Sequence, residues 1–283
     1  MAATGEPRSI IDLHTHTTAS DGTTSPADLV AEARARGIHV LAVTDHDSTD
    51  GLDEAMAAGH RLGVTIIPGV ELGTEPGRGE VHLLGYFIDH QDPTFQQRLA
   101  TFRAGRERRV EAIVERLRQL GVPIELAHVR QHAAGGAIGR AHVARALVAQ
   151  GYAASVDDAF ARYLGYGRPA YVPRVRLSAP EAVVLIHAAG GVAVLAHPLT
   201  VDALEDELAA LVAAGLDGIE VYYAAYSPAE HAMLAALAAR YGLIPTGGSD
   251  YHGPGQREGR ELGAAPVPPA TVARLRRAAR RVR

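Results

Sequence analysis

His14 and His16 stand one residue apart at the end of an apolar run, in Asp12-Leu13-His14-Thr15-His16. Two imidazoles at that spacing can clamp one metal ion, and further groups of the same chemistry recur along the chain. Asp21 follows in Ser20-Asp21-Gly22, His46 in Asp45-His46-Asp47 and Glu71 in Gly69-Val70-Glu71. His82 comes next, then His197 in Ala196-His197-Pro198, and Asp250 and His252 in Gly248-Ser249-Asp250-Tyr251-His252. Six histidines, two aspartates and one glutamate without any cysteine make an N/O donor set suited to Zn²⁺, Mn²⁺ or Fe²⁺. Nine donors suffice for two or three divalent ions. Missing cysteine also excludes disulfides, thiolate sites and a cysteine nucleophile.

Short β-branched runs must position these groups. Ile10 to His14, Ile38 to Thr44, Val64 to Glu71 and Val81 to Ile88 read as strands, with helices between the first three. Ser25-Pro26 with Asp28 starts one helix and Gly37 ends it, and a second runs from about Gly51 to Leu62. From Pro93 the alternation gives way to helices at Pro93 to Leu120, near Arg140 to Gln150 and at Val156 to Leu164. It resumes at the Ser178/Glu181 capping box, with a helix to Ala189, a strand Val192 to Ala196 and a helix around Ala203 to Ala214. Strands Gly218 to Tyr222 and Leu243 to Thr246 flank another helix. The pattern predicts an α/β fold of βαβ units around a parallel sheet from residues 9–92 and 178–283, with 93–177 as an inserted small helical domain. Thr271 to Arg283 reads as a helix with six arginines, mainly a solvated surface. Period-two geometry turns Asp12, His14 and His16 to one face, and most of the other donors close strands, where barrels assemble their reactive groups.

These motifs, in this order, resemble those of the PHP (polymerase and histidinol phosphatase) family over roughly residues 10–90 and 178–260. The resemblance implies a distorted (βα)7 barrel with a trinuclear metal centre. It is greatest to members that act as nucleoside 3′,5′-bisphosphate phosphatases or 5′-to-3′ exoribonucleases, which carry a helical insertion at the same place. Carried over by motif, it implies His14, His16, Glu71 and Asp250 around one metal, with Glu71 bridging to a second held by His82 and His197. Asp21, His46 and His252 would hold the third and stand as the catalytic group. Metal-bound water ionises near neutral pH, so a bridging hydroxide could attack phosphorus with no covalent intermediate. The proton for the leaving oxygen could come from bound water or a site histidine. Asp12 and Asp45 either fix the tautomers of neighbouring histidines or make ordinary strand-end hydrogen bonds.

The insertion is arginine-rich, with Arg103, Arg106, Arg108 and Arg109 on one helix, Arg140 opening another and Arg168 in Gly167-Arg168-Pro169. Guanidinium forks grip phosphate oxygens in pairs, and a helix start adds backbone donors. By the resemblance, the Arg106 to Arg109 stretch, Arg140 and Arg168 are candidates to bind a non-reacting phosphate. The interleaved Glu107, Glu111 and Glu115 also fit a solvated, salt-bridged helix. His142 reads as a capping or surface residue that could also reach a ligand. Tyr86, Tyr166, Tyr171, Tyr222, Tyr223 and Tyr251 are available for base stacking, and other histidines such as His60, His90, His128 and His231 read as structural or exposed.

The 283 residues carry 28 basic against 32 acidic groups, a net charge of −4, which provides no global attraction to duplex DNA or a membrane. Every basic residue is arginine, which excludes Schiff-base chemistry and the carbamylated lysine of many amidohydrolases. No apolar run reaches the roughly 20 residues of a membrane span. The start lacks a cationic, apolar leader, which points to a cytoplasmic enzyme. The expectation is a metal-dependent phosphoesterase acting on the 3′-phosphate of nucleoside 3′,5′-bisphosphates, on short 5′-phosphorylated RNA, or on both. A histidinol-phosphate-type phosphatase, an amidohydrolase-type C–N hydrolase and a non-catalytic metal-stabilised module are the alternatives.

Overall fold

The computed structural model describes residues 10–74, 81–133, 136–173, 177–256 and 259–282. The chain opens with β1 (Ile10–Asp12), α1 (Pro26–Ala35), β2 (Ile38–Val43), α2 (Leu52–Leu62), β3 (Thr65–Gly73) and β4 (His82–Tyr86). Local chemistry sets the boundaries. Ser25 accepts from the Asp28 amide at the start of α1, and Gly63, at φ +70°, closes α2 in the left-handed conformation that glycine adopts without strain.

Seven strands pair in chain order, completed by β5 (Val192–Leu195), β6 (Gly218–Tyr223) and β7 (Ile244–Gly248). β1, β2 and β3 run parallel, as do β5, β6 and β7, while β4 is antiparallel to both of its neighbours. β7 returns to the first strand: Leu13 N donates to Gly247 O (3.3 Å) and Asp250 N to His14 O (2.8 Å). Gly248 makes that approach possible, because a Cβ there would lie 2.4 Å from His14 Cβ. The result is a nearly closed, distorted barrel, as expected, with the fourth strand reversed.

Ile11, Leu13, Ile67, Leu84, Tyr86, Val192 and Val194 fill the barrel interior. The outer faces of the strands pack on α1, α2, α7 (Ala179–Ala188), α8 (Leu204–Ala213) and α9 (Pro228–Tyr241). The last helix (Ala270–Val282) is more than a solvated surface. Arg274, Arg276 and Arg277 are exposed, but Val272, Leu275 and Ala279 are buried in the barrel interior, each larger side chain worth about 1.5–3 kcal/mol.

The inserted helices are α3 (Pro93–Gln119), α4 (Leu126–Gln131), α5 (Arg140–Ala149) and α6 (Val156–Ala159); α6 runs into a π-turn, Phe160–Leu164, and the last helix, Ala270–Val282, is α10. α3 bridges two cores. Phe95 and Leu99 near its start join the barrel's outer core, whereas Val110, Ile113, Val114 and Leu117 pack with Val143, Leu147 and Leu164 in a separate cluster. Among the described residues no helix is long and apolar enough to cross a membrane.

Candidate metal centre and flanking clefts

All nine sequence-predicted donors meet at one rim of the barrel. His14 and His16 follow β1, His46 follows β2, Glu71 lies in β3, His197 follows β5, and Asp250 and His252 follow β7. His82 reaches the same rim from the opposite chain direction. Because β4 is reversed, its first residue lies beside Gly73 at the end of β3.

Four atoms form a compact set. His14 Nε2 lies 3.3 Å from Glu71 Oε2 and 3.4 Å from Asp250 Oδ1, while His16 Nε2 lies 3.2 Å and 3.1 Å from the same two oxygens. Ligands about 2.1 Å from a shared ion, at angles between octahedral and tetrahedral, stand about 3.0–3.4 Å apart. His16 supports this reading: both ring nitrogens are buried and neither makes a hydrogen bond of good geometry, despite those short distances. Donors that are close yet not aimed at each other suit a third body between them. Glu71 Oε1 faces His82 Nδ1 (2.7 Å) and His197 Nε2 (3.1 Å), and Glu71 Oε2 lies 3.1 Å from His46 Nδ1. Asp21 lies 3.3 Å from His252 Nε2 and 3.9 Å from His46 Nε2, with His16 also within reach of a shared ion.

The electrostatics call for positive charge here. Burial opposes ionisation of Glu71, yet His46, His82 and His14 hold its carboxyl well below the usual range. Asp21 behaves alike: burial is outweighed by His252 and His46. Burial also works against protonated His14 and His16, but carboxylates prevail, Glu220, Asp250 and Glu71 around the first and Asp250 and Glu71 around the second; His16 is raised to about 9. Ionised carboxylates set among imidazoles at this rim fit divalent cations.

Backbone strain accompanies this placement. Asp47, His197 and Asp250 hold φ values of +50°, +27° and +54°, a conformation that costs a non-glycine residue on the order of 1–3 kcal/mol.

Asp12 and Asp45 accept from backbone amides and hydroxyls rather than from the imidazoles. β1 ends at Asp12, whose carboxylate accepts from Ser249 N (2.9 Å), Ser249 Oγ (2.6 Å) and Gly263 N (2.9 Å), fixing the segment that carries Asp250. Asp45 accepts from Thr17 N (2.8 Å), Thr17 Oγ1 (2.7 Å) and Ser20 Oγ (2.5 Å), which shapes the loop bearing Asp21. The tautomer-fixing role falls to Glu220, fully buried in β6: its carboxylate meets His14 Nδ1 (3.1 Å) and accepts from the His197 amide (2.8 Å). Sequence reasoning passed over it, although a glutamate inside Ile-Glu-Val marks a charge within a buried strand.

A cleft runs from Asp21, His46 and His82 to Arg106, Arg109, Gly139, Arg140 and Phe160. Arg106 is braced through Nε by Asp47 Oδ2 (2.5 Å). Arg109 Nε donates to Val172 O (2.7 Å) and its guanidinium sits 5.2 Å over the Tyr171 ring, while Arg140 stacks 5.3 Å over Phe160. Arg103 is half-buried, donating to Asp47 O (3.4 Å). Arg108 and Arg168 are exposed and outside this lining. His142 is buried rather than at the surface: Nδ1 accepts from Gly139 N (3.0 Å), capping α5, and burial lowers its pKa to about 4. Of the tyrosines, Tyr86, Tyr223 and Tyr251 are buried, Tyr171 backs Arg109, and Tyr166 is exposed.

Two further arginines were not foreseen. Arg145 of α5 donates through Nη2 to Asp21 O and through Nε to Gln256 (3.1 Å), tying the insertion to the segments that carry Asp21 and His252. Arg260 donates to Asp250 Oδ2 (2.6 Å), which also accepts from Tyr223 OH (2.8 Å), and stacks 5.1 Å over the Tyr223 ring.

The PHP domain family model matches residues 12–166. The chain is 40% identical over 251 residues to the 5′-3′ exoribonuclease Rnm of Escherichia coli (strain K12), covering 87% of this chain and 86% of that one. It is 38% identical over 265 residues to the 3′,5′-nucleoside bisphosphate phosphatase of Chromobacterium violaceum, covering 89% and 90%. A solved structure from Bifidobacterium adolescentis, assigned as a metal-dependent phosphoesterase, superposes with a TM-score of 0.86 at 35% identity over 95% of this chain and 96% of its own. The chain belongs to the PHP family, and is a hydrolase of its metal-dependent phosphoesterase class.

Proposed function

We propose that the protein removes the 3′-phosphate of nucleoside 3′,5′-bisphosphates and releases nucleotides from short 5′-phosphorylated RNA. The observation that carries this reading is the single cleft in which candidate metal ligands and three braced arginines face the same space. One phosphate would react at the rim while Arg106, Arg109 and Arg140 hold another. The relatives named above support both substrate types.

His14, His16, Glu71 and Asp250 would hold one ion, Glu71, His82 and His197 a second, and Asp21, His46 and His252 a third; the donor set accepts Mn, Fe or Zn. Such ions supply charge to draw in the phosphoryl group and acidify water near neutral pH. The chain's own groups orient the ester. Nε bonds to Asp47 and Val172 hold Arg106 and Arg109 in place before substrate arrives, so less side-chain freedom is lost on binding. Of the proposed catalytic group, Asp21 and His46 line the arginine cleft, where they can orient water and the leaving oxygen. In this division residues 9–92 and 178–283 form the reactive barrel and 93–177 the substrate-binding part. A cysteine-free chain acting on nucleotides suits the cytoplasm.

The test is phosphate release by the Mn²⁺-loaded protein from adenosine 3′,5′-bisphosphate, beside AMP and histidinol phosphate, with EDTA as control. Chelator-sensitive release from the bisphosphate well above the other two is expected. Equal rates on AMP would overturn the second-phosphate reading.

A further inference from the structure

Helix α5 meets the site at two places. Gly139, Arg140 and Ala141 at its start line the arginine cleft together with Asp21, and Arg145 donates through Nη2 to Asp21 O. His142 stands three residues before Arg145, so both side chains leave the helix on one face, toward the segment that carries Asp21. This imidazole is fully buried, and the proposed function makes no use of it.

The backbone fixes where its proton sits. A peptide N–H can only donate, so the Gly139 amide requires a lone pair on His142 Nδ1 (3.0 Å). The neutral ring then carries its proton on Nε2. That nitrogen is sealed from solvent and has no hydrogen-bond partner among the described residues. Burying a donor without an acceptor is costly, so such a group calls for a partner. His142 does not line the arginine cleft, and the acceptor therefore comes from the protein rather than from a phosphate bound there. Of the charges that act most strongly on the ring, those of Asp21, Arg145, Arg106 and His132, Asp21 alone is an anion.

Asp21 is also the least firmly placed of the three carboxylates proposed as ligands. Glu71 has histidine nitrogens between 2.7 and 3.3 Å away, and Asp250 is held through Oδ2 by Tyr223 OH (2.8 Å) and Arg260 (2.6 Å). The Asp21 carboxylate is met by His252 Nε2 (3.3 Å), Ser20 Oγ (3.4 Å), His16 Nδ1 (3.8 Å) and His46 Nε2 (3.9 Å). These contacts are longer.

We propose that His142 is a positioning residue whose Nε2–H is the donor kept for the Asp21 carboxylate when Asp21 takes up its ion. This rests on the ligand set given under Proposed function. Helix α5 then holds Asp21 at two points, the carbonyl through Arg145 and the carboxylate through His142. The same helix opens with Arg140, so the insertion completes the metal centre as well as facing substrate.

The experiment is Mn²⁺ titration of the full chain by calorimetry, with circular dichroism as the control for folding. His142→Ala is expected to weaken the loosest-bound ion by about tenfold or more, the size of effect that partners of ligands command. The Mn²⁺ needed for half-maximal hydrolysis of adenosine 3′,5′-bisphosphate should rise in step, with KM for that substrate at saturating Mn²⁺ unchanged. His142→Gln keeps an acceptor for the Gly139 amide, as glutamine does at this position of a capping box, and also offers an N–H. It is expected to retain wild-type affinity. Undiminished affinity in His142→Ala would reduce His142 to a helix cap and overturn the proposal, as would equal losses in the two variants. If His142→Ala fails to fold, ¹⁵N-edited NMR of the wild type decides. The His142 Nε2–H signal, identified by its absence from His142→Gln, should move downfield and exchange more slowly when Zn²⁺ is added; an unmoved signal overturns the proposal. A wild type that binds no ion sinks the parent reading instead.

Discussion

At the barrel rim, Glu71 and its partner histidines are placed by strand ends and a tight backbone, with strained φ values and buried carboxylates such as Asp12 and Glu220 behind them. In the insertion, Arg109 and Arg140 are placed by what their side chains lie against, a tyrosine and a phenylalanine ring, on helices whose outer faces are ordinary solvated ion pairs such as Arg130 with Glu107. The first region is set by the backbone, is acidic and calls for cations. The second is set by side-chain packing, is basic and suits anions. A phosphoesterase needs both, and the contrast separates what should abolish chemistry from what should only change substrate preference.

Replacing His14 and His16 together with alanine tests the rim most severely. Turnover should fall beyond the ~100-fold ceiling typical of outer-shell changes, metal content by mass spectrometry should drop, and circular dichroism should be retained. Unaltered turnover would remove these residues from the ligand set. Glu220→Gln, which leaves every proposed ligand in place, should weaken metal affinity about 10–100-fold in chelator competition. An affinity equal to wild type would mean that Glu220 supports only the strand.

Arg140→Ala tests the other region. Losing a charge-assisted hydrogen bond of about 1.5–3 kcal/mol should raise KM for the bisphosphate roughly tenfold or more while sparing a monophosphate. Parallel losses on both would place Arg140 at the reacting phosphate instead.

The rim should also respond to pH through His16, raised to about 9 in the metal-free chain. Ligation needs the neutral ring, so metal affinity should climb about tenfold per pH unit for each proton displaced, levelling near 9. In the metal-free protein the same shift stabilises the fold fully below the unfolded value of 6.5, and that contribution disappears as pH rises through 9. Calorimetric metal titration at pH 6, 7 and 8 measures the first effect, and a flat profile would contradict it.

Most strands could be read to within about two residues because β-branched runs, capping residues and closing glycines agree with one another. The reversal of β4 was legible and went unread. Between Gly73 and His82 there is too little chain for a parallel crossover, which needs a dozen residues or more. Position along a strand was enough to collect nine polar residues at one rim. It was not enough for Asp12 and Asp45, since adjacency to a histidine says nothing about which backbone amides a folded loop will present. Arg145 left no trace at all: it sits in an alanine-rich helix, and its partners, Asp21 and Gln256, lie more than a hundred residues away in sequence. Arg168 looked equivalent to Arg140 in composition, and only the packing of the π-turn separates them.

The reversed strand bears on how the chain assembles. Pairing β3 with β4 closes a short loop, whereas every other sheet contact bridges at least one helix. Closing a short loop costs little chain entropy, so this hairpin should form among the earliest elements. Its register sets Glu71 and His82 on adjoining strands. A nascent pair of metal-binding side chains would then exist before the barrel closes, and divalent ions present during refolding should accelerate it. Stopped-flow refolding with and without Mn²⁺ would show this as a metal-dependent rate, and identical rates would place cation capture after the ring is complete.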